Sequence, residues 1–171
     1  MRAKTGIIAV VLVAVLSTAA YLWFSSTRMR WAPDIRMRTT ARHQLDLAAL
    51  RGRPVLVNFW ATTCPSCIQE IPGLSRLYRD LNPRGLEVIG VSVYYDPPNR
   101  VEEMVAKRHI PYPVVTDISQ RVARAFGMRR MVTPTSFLIA PSGRIVLHRV
   151  GLLDLHKLRD EIERMLDKRS S

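Results

Sequence analysis

The sequence is short of metal ligands. Its 171 residues include two cysteines and four histidines. A structural zinc site usually takes four ligands, either two cysteine pairs or one cysteine pair with two closely spaced histidines. The chain has a single cysteine pair and its histidines are dispersed, so we expect neither a bound metal nor another cofactor. These histidines are His43, His109, His148 and His156.

Acidic residues, internal repeats and low-complexity blocks are also scarce or missing. Asp and Glu total 14 against 26 Lys and Arg, which gives a net charge of +12. The cations are scattered and form no basic stripe with interleaved aromatics, so no nucleic-acid partner is expected. The excess of Lys and Arg over Asp and Glu is typical of a solvated basic surface. One stretch, Arg28 to Arg53, holds seven arginines against Asp34 and Asp46 and is suited to anionic headgroups.

The one long hydrophobic run lies at the N terminus. Residues 6–24 carry no charge, and as a helix they would span roughly 28 Å, close to the hydrocarbon core of a bilayer. We therefore predict a membrane anchor over residues 1–24 and a linker over residues 25–30. Tyr21 and Trp23 favour an uncleaved anchor, because they suit the membrane interface. A signal peptide cleaved near Ser17-Thr18-Ala19 is the alternative.

The charges around this run bear on its orientation. Arg2 and Lys4 precede it and several arginines follow it, so the positive-inside bias alone would keep the C-terminal part in the cytoplasm. Long domains, however, translocate largely regardless of charge, and a short basic start is typical of an export signal. We expect a single-pass protein of the bacterial inner (plasma) membrane, with its catalytic domain on the periplasmic, extracytoplasmic side.

Residues 31–171 alternate between strand-like and helix-like segments, which predicts one α/β domain. Strands are indicated by β-rich apolar runs, and helices by apolar residues at helical spacing. The predicted strands are Pro54–Trp60, Leu86–Val93, Ser136–Ala140 and Arg144–Val150. The predicted helices run from Cys67 to Asn82-Pro83, over Val101–Lys107, over Gln120–Phe126, and onward from an N-cap at Asp154.

Both cysteines lie in the stretch FWATTCPSCIQEIP, residues 59–72. A structural disulfide across a two-residue gap closes almost no loop and gains little stability, so redox chemistry is the leading interpretation. Cys64 would lie at a helix N terminus, where free N–H groups and the helix dipole stabilise a thiolate. Cys67, one turn further, would be more buried, which suits a resolving thiol. Pro65 fits the first helical turn.

The segment VNFWATTCPSCIQEIP resembles the active site of thioredoxin-like proteins of the TlpA/ResA type, which are membrane-tethered thiol:disulfide oxidoreductases. Four further segments resemble that family. APDI and LDLAALRGRP match its first strands, VIGVSVYYDP matches its second central strand, and TPTSFLIAPSGRI matches its cis-proline strand and hairpin. The similarity covers about residues 31–168 and implies a thioredoxin-like fold, with a central mixed sheet flanked by helices.

The resemblance also implies roles for individual residues. Thr133-Pro134 would be a cis bond beside the sulfurs that pairs with an incoming peptide, and Trp60 would shield the site or simply belong to the core. Pro72 would kink the active-site helix.

Glu70 is expected to accept the proton of Cys67, since Asn58 stands where thioredoxins proper carry an aspartate and an amide cannot do so. A solvated glutamate at that position is the alternative.

The chain departs from the family pattern at three places. Thr63 replaces the usual tryptophan before the first cysteine, and Ala140 replaces an acid. The segment 127–134 is about two residues longer than usual and includes Arg129 and Arg130. These differences affect the choice of substrate and leave the redox residues unchanged.

The resemblance implies a reductase of protein disulfides that keeps haem-attachment cysteines of apocytochrome c reduced and receives electrons from a thiol-transferring membrane protein. A disulfide oxidase is the alternative within the same chemistry. A copper chaperone on a thioredoxin-like fold is a second class, although such proteins typically separate their cysteines by three residues. A peroxidase is a third, but Ala61 stands where its threonine is expected.

Overall fold

The computed structural model describes residues 12–18 and 31–170, which fall into two separate units. Residues 12–18 are helical, and the Thr18 hydroxyl donates to the Ala14 carbonyl at 2.8 Å. Within these described ranges no helix is long and apolar enough to cross a membrane. The rest of the predicted anchor and the whole predicted linker lie outside the described residues.

Strands form a small hairpin and one larger sheet in residues 31–170. In chain order they are β1 (Arg36–Arg38), β2 (Gln44–Asp46), β3 (Val55–Trp60), β4 (Glu87–Ser92), β5 (Val114–Thr116), β6 (Thr135–Ile139) and β7 (Ile145–Val150). The larger sheet has the order β5-β4-β3-β6-β7, and β1 pairs with β2. Strands β3, β4 and β5 are parallel to one another. Strand β6 is antiparallel to both of its neighbours, β3 and β7, so the sheet is mixed as predicted.

Helices cover both faces of this sheet. They are α1 (Pro65–Leu81), α2 (Pro98–Lys107), α3 (Arg121–Ala125) and α4 (Leu155–Ser170). Helices α1, α2 and α4 pack on one face with Leu56 and Trp60, whereas α3 and the β1–β2 hairpin pack on the other face with Val57 and Phe59. Alternate residues of β3 therefore belong to different cores, as its pleat requires.

The predicted elements agree with the structure to within one residue for the four strands. The helix end at Leu81 and the Asp154 N-cap are also confirmed, since the Asp154 carboxylate accepts a hydrogen bond from the Lys157 N–H at 3.2 Å. Helix α2 begins three residues earlier than predicted, because Pro98 suits a first helical turn. Strand β5 was not predicted, since three residues carry no periodicity.

The two segments matched to first strands, 32–35 and 45–54, were placed wrongly. Strand β1 begins only at Arg36, and β2 ends at Asp46. The Asp46 carboxylate accepts a hydrogen bond from the Ala48 N–H at 3.0 Å, which turns the chain into a short 3-10 helix over Ala48–Leu50. Such a local side-chain bond competes with strand pairing.

The two ends of the central strands have different surroundings. We call the end at Val55 and Glu87, where β3 and β4 begin, the amino end of the sheet. The end at Trp60 and Ser92, where both strands finish, is its carboxyl end. Both cysteines follow β3, so the disulfide lies at the carboxyl end.

Candidate active site

Cys64 and Cys67 form a disulfide at the start of α1, with their Cα atoms 5.2 Å apart. Cys64 is the N-cap of the helix, and its Sγ accepts a hydrogen bond from the Cys67 N–H at 3.2 Å. Pro65 is the first helical residue. Cys67 is 2% exposed, whereas Cys64 is half-buried. The predicted helix N terminus and the predicted order of accessibility are both confirmed.

The surroundings of Cys64 favour its thiolate form after reduction. Its sulfur lies at the positive end of a 17-residue helix, where the dipole stabilises negative charge. The Ser66 hydroxyl lies 3.4 Å from the same sulfur and can donate to it. Cys67 has neither advantage, because it belongs to the apolar core formed with Leu74 and Trp60.

The turn between β3 and Cys64 is held by a buried carboxylate that sequence analysis missed. Asp96 accepts hydrogen bonds from the Thr62 N–H and the Thr62 hydroxyl, each at 2.6 Å, and it is 2% exposed. Because β4 lies beside β3 and parallel to it, the loop after β4 reaches the loop that carries the cysteines. The sequence signal for this contact is an acid just after a buried strand and before two prolines.

Glu70 is buried one helical turn beyond Cys67, and both of its carboxylate oxygens accept hydrogen bonds. It is 4% exposed, its Oε1 accepts from the Leu153 N–H at 2.7 Å, and its Oε2 accepts from the Asn58 side-chain amide at 3.1 Å. The alternative of a solvated glutamate is therefore wrong. Asn58 also donates to the Ser136 hydroxyl at 2.9 Å, so residues from β3, β6 and the β7–α4 connection together orient one carboxylate.

Burial raises the pKa of the Glu70 carboxyl, while its bonds to Leu153 and Asn58 oppose that rise. Tyr112 lies in the same core, and its phenol also has a raised pKa, first because of burial and second because of the Glu70 charge. A carboxylate in this environment holds a proton more readily than one in water. Glu70, one helical turn beyond Cys67, is thus suited to exchanging a proton near that sulfur.

The remaining predicted residues lie at the same end of the sheet. The Thr133-Pro134 bond is cis, as predicted. Because Thr135 pairs with Phe59, Pro134 comes beside Trp60, just before the cysteine loop. Trp60 is 2% exposed and packs in the core with Cys67, and Pro72 lies inside α1.

No group of three or more histidine, cysteine or acidic side chains that could hold a metal ion is found in the described ranges. His148, one of the four dispersed histidines, stacks on Phe137 with ring centroids 4.3 Å apart.

Comparison with known proteins decides the family. A model of the AhpC/TSA family matches residues 30–148, more than half of the chain. The chain belongs to the AhpC/TSA family.

Relatives within this family agree with the site. The chain is 34% identical over 111 residues to the thiol-disulfide oxidoreductase ResA of Halalkalibacterium halodurans, a match over 64% of this chain and 61% of that protein. It is 29% identical over 129 residues to ResA of Bacillus subtilis, covering 75% of this chain and 70% of that protein.

Solved structures agree with the fold. A putative thioredoxin from Neisseria meningitidis superposes with a TM-score of 0.74 at 31% identity, covering 81% of this chain and 91% of that one. A thiol:disulfide interchange protein from Chlorobium tepidum gives 0.73 at 28% identity, covering 80% and 96%. The predicted thioredoxin-like fold is confirmed, and the chain is a thiol-disulfide oxidoreductase of the ResA type with a CxxC disulfide.

Ala140, one of the departures of this AhpC/TSA family member, is half-buried at the amino end of the sheet, whereas the others are exposed. Thr63, Arg129 and Arg130 are exposed, and Val132 is 47% exposed. Because these side chains are exposed and not part of the core, they affect the surface that a binding partner would contact.

Proposed function

We propose that this protein is a membrane-anchored, extracytoplasmic reductase of protein disulfides. The observation that carries the proposal is the asymmetry of the cysteine pair, with Cys64 half-exposed at a helix N terminus and Cys67 buried beside Glu70. One sulfur is placed for attack on a partner and the other for release of that partner. The direction towards reduction is supported by the resemblance to the TlpA/ResA type.

The exchange starts from the reduced protein. The Cys64 thiolate attacks one sulfur of a substrate disulfide, so that a mixed disulfide forms and the first substrate thiolate leaves. Cys67 then loses its proton and attacks the Cys64 sulfur. The Cys64–Cys67 disulfide forms, and the second substrate sulfur leaves as a thiolate that takes up a proton. Two electrons have passed to the substrate.

Glu70 is the proton acceptor for Cys67 in this scheme. Its carboxylate is held by Asn58 and Leu153, and burial raises its pKa towards that of a thiol. The smaller the gap between acceptor and donor pKa values, the easier the proton transfer. The dithiol is regenerated when a membrane thiol donor passes two electrons to the disulfide and is itself oxidised.

Substrates are proteins that reach the carboxyl end of the sheet. Exposed aromatic and apolar side chains flank the cysteine loop there, with Tyr94 at 44%, Tyr95 at 48% and Val132 at 47% exposure. Together with the cis Pro134 they offer a surface for an extended peptide carrying a disulfide. Oxidised haem-attachment cysteines of apocytochrome c are a substrate of this kind, and residues 6–24 anchor the protein where such cysteines are exposed.

The reduction potential of the Cys64–Cys67 couple tests the direction. The full chain in non-ionic detergent is equilibrated against dithiothreitol and glutathione buffers. A potential near roughly −270 mV is expected for a reductase, whereas a value near roughly −120 mV would make the protein an oxidase.

Trapping tests the substrate class. Cys67→Ser leaves Cys64 able to attack but removes the resolving thiol, so mixed disulfides with extracytoplasmic proteins should accumulate. Cys64→Ser is the matched control and should trap none. Equal trapping by both variants would contradict the assigned roles.

A further inference from the structure

The chain enters its folded domain at the amino end of the sheet, opposite to the disulfide. Trp31 forms a β-bridge with Arg144 in the β6–β7 turn, and that turn lies beside Val55, the first residue of β3. The disulfide follows Trp60 at the other end of the same strand. Six residues of strand span about 20 Å, so the point of entry and the sulfurs are separated by the length of the sheet.

Cations from separate parts of the chain gather at this amino end. Helices that join parallel strands run back from the carboxyl end to the amino end, so the last turn of α2 lies there. The ion pair between Arg84 and Asp167, at 2.7 Å, brings the end of α4 to the same place. Two further cations lie at this end: Arg53 in the segment before β3, and Arg144 in the β6–β7 turn. The exposed cations that the topology brings to this end, and for which the described ranges show no ion pair, are Arg53, Lys107, Arg108, Arg144 and Lys168.

Acidic side chains described at this end are either paired with arginines outside the docking set or half-buried. Asp34 pairs with Arg51 at 2.8 Å, and Asp167 pairs with Arg84. Glu87, which faces Arg53, is half-buried. Trp31 is 56% exposed, with the Arg144 guanidinium 6.0 Å from its ring centre. Exposed tryptophan among arginines and lysines is typical of a surface at the membrane–water interface.

We propose that the amino end of the sheet, with Trp31 and these five cations, docks on anionic phospholipid headgroups. The inference rests on the proposed anchoring by residues 6–24. A linker of six residues reaches about 20 Å at most, so an anchored domain cannot leave the surface by more than that. Each cation near an anionic surface favours contact by about fivefold.

The docking cations differ from the stretch that the sequence suggested. Of the arginines between Arg28 and Arg53, Arg38 and Arg42 lie on or next to the β1–β2 hairpin, which joins the sheet at β5 through the bridge between Thr39 and Val115. Among the described arginines of that stretch, Arg53 is the one that belongs to the docking set. The proposed docking cations are therefore not neighbours in sequence; the fold brings them together.

Hydrogen exchange of the full chain in lipid nanodiscs tests the docking. Amides of residues 51–53, 107–109 and 142–144 should exchange about fivefold or more slowly in discs containing phosphatidylglycerol than in pure phosphatidylcholine discs. Residues 94–96 at the carboxyl end should not change. The protection should disappear at about 1 M salt, where the Debye length falls to about 3 Å. Equal exchange in both discs, or the same protection by soluble heparin and none by lipid, would overturn the proposal.

Charge reversal at two places provides matched variants. Reversal at the amino end should abolish the lipid-dependent protection, and reversal of four other exposed arginines should leave it intact. If both variants behave alike, net charge and not the docking surface is responsible. Replacement of the same residues by glutamine repeats the comparison should a reversed variant fail to fold. The docking set is Arg53→Glu, Lys107→Glu, Arg108→Glu and Arg144→Glu; the control set is Arg38→Glu, Arg100→Glu, Arg129→Glu and Arg130→Glu.

Flotation of the full chain with neutral vesicles separates the two proposals. If the chain fails to float, the proposed anchor is wrong, and the docking proposal that rests on it is overturned as well. A chain that floats but shows no charge-dependent protection overturns the docking alone.

Discussion

At the scale of single residues, the proposed role of the buried Glu70 carboxylate in the second half of the exchange can be tested directly. Glu70→Gln keeps the size of the side chain but cannot take the proton of Cys67. A general base typically contributes about 100-fold or more, so resolution of a mixed disulfide at Cys64 should slow by about that factor. The rate is measured by stopped flow on a preformed mixed disulfide with a thionitrobenzoate leaving group.

The alkylation rate of the Cys64 thiol in the reduced protein is the control for this variant. It should change little, because Glu70 lies beside the buried sulfur and not the exposed one. Unchanged resolution kinetics in Glu70→Gln would mean that the carboxylate serves packing alone.

The same carboxylate makes stability depend on pH. Burial raises the Glu70 pKa above its ordinary 4.5, so the folded state binds more protons than the unfolded state between these two values. Unfolding free energy should therefore fall as pH rises from about 4.5 through the folded pKa. Denaturant unfolding of the oxidised protein should show this fall, and Glu70→Gln should flatten it. A steeper fall in the variant would contradict the assignment.

Sequence reasoning singled out the two cysteines and Glu70 and missed the residues that hold the Glu70 carboxylate. Cys64, Cys67 and Glu70 lie within seven consecutive residues, so helical spacing alone relates them. Asn58 and Leu153 donate to Glu70 from two other elements, and Ser136, on a third, accepts a hydrogen bond from Asn58. Which amide or hydroxyl faces a given carboxylate is set by strand register and chain direction, and neither is visible in a local pattern.

At the scale of elements, Gly90 lets β4 pack beneath two buried aromatic rings. A Cβ at this position would lie 3.2 Å from Trp60 Nε1 and 3.2 Å from Tyr112 Cε2. The rings are rigid and closely packed, so they cannot move away from an added methyl group. Gly90→Ala should therefore lower the unfolding free energy by about 1–3 kcal/mol. Chemical denaturation measures the change.

Ser92→Ala, two residues further along the same strand, is the matched comparison. The Ser92 hydroxyl is buried without a hydrogen-bond partner in the described part of the chain, so its removal should cost almost nothing. If both variants lost the same unfolding free energy, any substitution in β4 would be destabilising, and the role given to the two rings would be contradicted.

Two loops at the carboxyl end act as one element through Asp96. Asp96→Ala removes the acceptor for both donors of the half-buried Thr62, which should cost about 1–3 kcal/mol. The freed cysteine loop should also exchange its Thr62 amide faster. Asp96→Asn, which keeps one carbonyl acceptor, should recover part of both effects. Full stability in Asp96→Ala would mean that water replaces the carboxylate.

Long elements were predictable and short ones were not. Strands β3 and β4 carry long continuous apolar runs, and helices α1 and α4 carry apolar residues at helical spacing. The first strands were misplaced, because Asp46 ends β2 through its own side chain. Three-residue strands such as β1 and β5 are defined by the partner beside them, so a single stretch of sequence carries too little information.

At the scale of the whole molecule, the net charge of +12 opposes compactness. Six ion pairs found among the described side chains are partly exposed, and such pairs contribute little. Screening should therefore relieve repulsion more than it weakens these pairs. Raising sodium chloride from about 0.01 M to about 0.15 M shortens the Debye length from about 30 Å to about 8 Å, and the thermal midpoint in non-ionic detergent should rise. A falling midpoint would show that the ion pairs dominate.

The unequal exposure of the two sulfurs also fixes the order in which partners are served. Only Cys64 reaches the surface, so the protein that receives electrons and the protein that supplies them must both bond to the same atom. They cannot occupy it together, and each must depart before the other arrives. Turnover then follows a ping-pong scheme without a ternary complex, and an excess of either partner holds the enzyme in one half of its cycle.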